Sequence, residues 1–169
     1  MKIRPILLAA ASIATAAILL AFVSSRADAQ TATQTVTFQV TGVNRISVSG
    51  NPATMTINAA TAGSDLDDAT NSATTYSITT NQTNQKITGQ ITTGTMPSGV
   101  TLTANLAGSP GTSAGAQTLS GTAADLVTAI TKDKATGKSI TYSLSATLAA
   151  AVMGSTSNVV VTYTVTAGA

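Results

Sequence analysis

Two stretches near the C-terminal end, SITYSLSATL at 139–148 and NVVVTYTVT at 158–166, alternate apolar and polar residues with a period of two. Only an extended strand puts i, i+2 and i+4 on one face, so this pattern demands a sheet with one covered face. Ile140, Tyr142, Leu144, Ala146 and Leu148 form the inward set of the first stretch. Val159, Val161, Tyr163 and Val165 form that of the second.

The same period returns upstream. TVTFQVT at 35–41 sets Val36, Phe38 and Val40 against Thr and Gln. NRISVSG at 44–50 turns Ile46 and Val48 inward, and ATMTIN at 53–58 does so with Met55 and Ile57. Tyr76 and Ile78 carry 74–80, Ile87 and Ile91 carry 86–92, and Val100, Leu102, Ala104 and Leu106 carry 100–106. Gly89, between Ile87 and Ile91, marks a bulge or a close approach of another backbone. QTLS at 117–120 reads as a short edge strand, while 59–73, 107–116 and 131–138 read as loops and turns.

One segment breaks the period. In GTAADLVTAI, 121–130, Leu126, Val127 and Ile130 fall on one helical face. Thr122 is placed to cap that helix, with Asp125 three residues on. The pattern predicts a short helix over 122–130 closing one end of the fold. Taken together, the chain is expected to be all-β: an antiparallel immunoglobulin-like or Greek-key β-sandwich of about 7–9 strands with that one helix.

The N-terminal end reads as an export signal. Lys2 and Arg4 precede an uncharged apolar run from Ile6 to Val23, and Ala27-Asp28-Ala29 supplies the small-x-small cleavage pattern. Cleavage after residue 29 would leave 30–169 as a single domain without a membrane span. Removing Lys2, Arg4, Arg26 and Asp28 from eight cations and six anions leaves five of each. A neutral chain without a basic stripe does not point to nucleic acid.

Composition narrows the chemistry. Histidine and cysteine are absent, and all six acidic residues are aspartate. Ser-His-Asp and Cys-His machinery cannot be built, and the usual zinc ligands are missing. Lysines and serines exist for a Ser-Lys dyad, but no motif organises one. The expectation is a non-enzymatic protein without a cofactor. Asp65, Asp67, Asp68 and Asn71 form an oxygen-rich stretch that is a candidate for Ca²⁺ and otherwise a solvated acidic loop. Asn81-Gln82-Thr83 has the form of a glycosylation sequon and reads as a polar hairpin turn. Phe38, Tyr76, Tyr142 and Tyr163 would suit a sugar platform, but their inward registers assign them to the core. Lys86 or Lys138 beside Asn or Asp would suit an isopeptide cross-link, though no Glu is present to assist.

The order of features resembles the major pilins of class 5, or alternate-chaperone, fimbriae of Gram-negative bacteria, and is similar in style to related secreted pilin-type sandwiches. The likeness rests on QTVTFQVTG at the start, TTYSITTNQTNQKITGQI, TLSGTAADLVTAI, and the closing pair ITYSLSATL and VVVTYTVTA. It covers most of 30–169 as pattern. The resemblance implies assembly by strand complementation, with Val36, Phe38 and Val40 as donor residues. It implies an acceptor strand carrying Val159, Val161, Tyr163 and Val165, and a periplasmic chaperone as a partner. The short link between 41 and 44 equally allows strand 35–41 to pair within its own chain. Self-association, or association with other surface subunits, at the cell surface or in the periplasm is therefore the expectation. A monomeric secreted module for a glycan, a matrix component or Ca²⁺ is the alternative.

Overall fold

The computed structural model describes residues 30–169, so the proposed export signal lies outside the described residues. Nine strands run in chain order: β1 (Asn44–Val48), β2 (Ala69–Thr80), β3 (Gln85–Thr93), β4 (Val100–Leu106), β5 (Thr112–Ser113), β6 (Gln117–Thr118), β7 (Ala124–Ile130), β8 (Lys134–Ala146) and β9 (Val160–Ala167). They form a five-stranded sheet, β1-β2-β8-β4-β6, and a four-stranded sheet, β5-β7-β3-β9. Every pairing is antiparallel. The all-β expectation holds, and the two sheets stack as a β-sandwich.

The alternation read from the sequence becomes the core. Tyr76, Ile78, Leu102, Leu106, Ile140 and Tyr142 come inward from the first sheet and are buried. Ile87 and Ile91 of β3 meet them from the second. Gly89 keeps its strand register with Tyr163, and its missing side chain leaves room for Leu126. An added Cβ would lie 2.6 Å from Leu126 Cδ1 and 3.2 Å from Leu119 Cδ2. The close approach there is thus of side chains, and β3 needs a glycine because two leucines occupy the space.

The expected helix over 122–130 is not there. Residues 124–130 are β7, paired with β3. Two register shifts explain the misleading pattern. Ile87 faces Val127 while Thr88 faces Asp125, and Gln85 faces Ile130. Each shift inserts a residue into β7, with Ala129 in the left-handed region at φ 58°. Such bulges reset which face a side chain occupies. Leu126, Val127 and Ile130 all end up buried, so the spacing imitates a helical stripe.

Other boundaries move as well. β2 begins at Ala69 and β8 at Lys134, inside segments read as loop and turn. Residues 53–58, expected as a strand, join neither sheet, although Met55 packs against the core. Residues 30–43 form no strand. The compact unit that holds both sheets begins at Gln39, and residues 30–38 are not part of it.

Candidate functional site

The two lateral sides of the sandwich differ. On the side of β7, the short β6 strand and its neighbour Leu119 seal the core, and Leu106, Leu119, Leu126 and Val127 are fully buried. On the other side, β1 ends one sheet and β9 ends the other, and these two edge strands face each other. The residues that alternation turns inward are only half covered there. Val159, Val161, Tyr163 and Val165 are each partly buried, as are Ile46, Met55 and Ile57. Val48, in register with the buried Tyr76, is 47% exposed.

Backbone groups along this open side are also unpaired. β9 pairs with β3 alone, leaving the outer half of its N–H and C=O groups without a ladder. Among the described residues no backbone hydrogen bond involves 50–58, the apolar-alternating stretch after β1. An extended edge with an apolar floor and free main-chain groups is a template for another strand. The expected acceptor residues Val159, Val161, Tyr163 and Val165 therefore lie together on one edge of the sandwich.

The expected donor residues show the complementary property. Val36, Phe38 and Val40 are 71%, 87% and 84% exposed. Three apolar side chains at a spacing of two match the three at Val161, Tyr163 and Val165. Where this stretch leaves the sandwich, Asn81 fixes the chain. Its Oδ1 accepts from Val43 N at 2.7 Å, and its Nδ2 donates to Thr41 O at 2.8 Å. Residues 81–84 join β2 of one sheet to β3 of the other, so the stretch read as a hairpin turn is a crossing between sheets. Beside it, Thr80 Oγ1 donates to Asn44 Oδ1 and Asn44 Nδ2 donates to Gln85 Oε1, tying the first strands of the two sheets together at this end. Residue types alone gave no signal for that linkage, because it depends on which strands meet.

Tyr163 closes the floor of the edge. Its hydroxyl hydrogen-bonds that of Tyr142 from the opposite sheet. Burial, and secondarily this bond, pushes the Tyr163 hydroxyl well above the ordinary tyrosine value. Tyr142 is also raised by burial. Tyr76 is buried and donates to Ala107 O. Tyr76 and Tyr142 are buried in the interior as their registers predict, and Tyr163 is partly buried, whereas Phe38, assigned to the core by the same alternation, is exposed because 30–43 joins neither sheet.

The acidic stretch is arranged as a turn. Ala60 bridges Leu66, and Asp67 N donates to Ala59 O. Asp68 Oδ2 accepts from Ser143 Oγ at 3.4 Å, and Asn71 Oδ1 accepts from Ala73 N. Among the described residues no three acidic side chains come together as a metal would require. Lys86 pairs with Asp125 at 2.9 Å on the outer face of the second sheet, as an ordinary ion pair. The chain matches no protein-family model, and no curated protein shows significant similarity to it.

Proposed function

We propose that the chain is a non-enzymatic structural subunit of an exported fibre or surface layer, in which residues 35–41 of one copy complete the open edge of another. The observation that carries this reading is the one-sided core. One flank is sealed, and the flank between β1 and β9 is left half covered, while an apolar-alternating segment of matching spacing, itself in no strand, lies exposed ahead of β1 of the same chain.

The strand order supports an immunoglobulin-like assignment. β1, β2, β8 and β4 take the places of strands A, B, E and D, and β3 and β9 those of C and F. In that frame the position beyond F is the one a donated strand would fill. Main-chain pairing along β9 would supply affinity, and Val36, Phe38 and Val40 would supply specificity by filling the half-covered floor. A contact that joins one patch to a different patch on the next copy does not close, so it propagates as a filament. An edge this open needs protection before assembly, which is the role a periplasmic chaperone would fill.

The test is assembly of the protein recovered after export, followed by light scattering and negative-stain microscopy. Wild type should form ladders or fibres. Phe38→Asp should remain monomeric, and an excess of a synthetic 30–41 peptide should cap growth. A wild-type chain that stays monomeric and does not take up the peptide would sink the reading.

A further inference from the structure

The charged side chains of the sandwich are sorted by end. Apart from the Lys86–Asp125 pair, the charges of residues 30–169 fall into two groups. Asp65, Asp67 and Asp68 lie just before β2 begins, at the end where Val100 pairs with Ala146 and Thr93 with Val160. Arg45, Lys132, Lys134 and Lys138, with Asp133, lie toward the other end, where Arg45 pairs with Thr79 and Thr79 with Lys134. Asn84 Nδ2 donates to Ala169 O at this same end. Arg45 and Lys134 take part in no ion pair among the described residues. They lie with Ser47, Ser77, Thr79 and Thr136 on a shallow face of β1, β2 and β8. The 12 residues of β2 separate the two ends by roughly 37 Å at ~3.4 Å per residue.

The exposed segment 35–41 joins the sandwich at the basic end, because Asn81 fixes Thr41 and Val43 beside the end of β2. Little free chain then joins Val40 to the sheet, so a donated strand brings its own basic end against whichever end of the acceptor it exits from. β9 runs from the acidic end at Val160 to the basic end at Ala167. A strand inserted antiparallel to β9 therefore exits at the acceptor's acidic end. One inserted parallel exits at its basic end, placing cations against cations.

Resting on the strand-donation reading, we infer that successive copies dock acidic end to basic end. The turn bearing Asp65, Asp67 and Asp68 of the acceptor meets the Arg45, Lys132 and Lys134 end of the donor copy, and the donated strand enters antiparallel to β9. The partner surface is a second copy of this chain. Attraction between the two ends matters only where they approach within about a Debye length, ~8 Å at physiological salt, so docking should weaken as salt rises.

Zero-length carbodiimide coupling of assembled wild-type protein, read by mass spectrometry, should join the peptide containing 65–68 to the one containing 132–134. Peptide-capped monomers should not show this product. A variant carrying Arg45→Glu, Lys132→Glu and Lys134→Glu should elongate on wild-type ends at least about tenfold more slowly at low salt. A partner carrying Asp65→Lys, Asp67→Lys and Asp68→Lys should restore its rate. Uptake of the 30–41 peptide shows that each variant is folded with its edge open. Fibres lacking the cross-link, with the reversed variant elongating at the wild-type rate, would overturn end-to-end docking and leave strand donation standing. Absence of both assembly and peptide uptake in wild type would overturn strand donation, and the docking inference with it.

Discussion

Tyr142 and Tyr163 show how single residues join the two sheets. Their hydroxyls bond to each other across the sandwich, one from β8 and one from β9. Replacing either by Phe leaves the other hydroxyl partly buried and unpaired, at a cost of about 1–3 kcal/mol. Replacing both removes the need as well as the bond, so the double variant should lose less than the sum. A double-mutant cycle by urea unfolding measures this. The same burial makes Tyr163 one source of stability that is lost at alkaline pH. The folded Tyr163 hydroxyl titrates above the ordinary value of 10.0, so the folded state holds its proton more tightly than the unfolded chain. That contribution is complete below about pH 10 and is lost as pH rises further. Urea midpoints at successive alkaline pH values should fall only above that point, and less steeply in Tyr163→Phe.

At the scale of the element, β7 carries the lesson about pattern. Ala129 is exposed and sits at φ 58°, where a side chain is strained and glycine is not. Ala129→Val should destabilise by about 1–2 kcal/mol, whereas Ala129→Gly should be neutral or mildly stabilising. Were this segment a helix, the order would reverse, since glycine is the worse helix former. Thermal unfolding of the two variants separates the cases. β4, by contrast, has the bounds that alternation predicts, Val100–Leu106, because it has no register shift with β8 and its period is uninterrupted. Segment 53–58 keeps the alternation of a strand without a ladder. Alternation reports which side chains seek cover, and a ladder requires a neighbour at hydrogen-bonding distance.

For the whole molecule, strand donation predicts that stability depends on what fills the open flank. A peptide of residues 30–41 that binds only the folded state should stabilise the protein by about 2.7 kcal/mol at a hundred times its Kd. The rise in melting temperature should grow with peptide concentration. A peptide with Phe38 replaced by Asp should give none at the same concentration. A calorimetric titration over that range checks both.

The sequence by itself determined the all-β class and most strands. Period-two alternation is a local property, and each strand displays it wherever one face is buried. It also placed Val36, Phe38 and Val40 on one face and Val159, Val161, Tyr163 and Val165 on another. Only the tertiary structure decided that β7 is a bulged strand, because a bulge is set by the partner strand opposite it. Only the tertiary structure showed that β9 lies at an edge, that Leu119 and β7 seal one flank, and that the charges separate by end. Neighbour order in a sheet comes from pairing between segments far apart in the chain, and no local pattern encodes which strand is left without a partner.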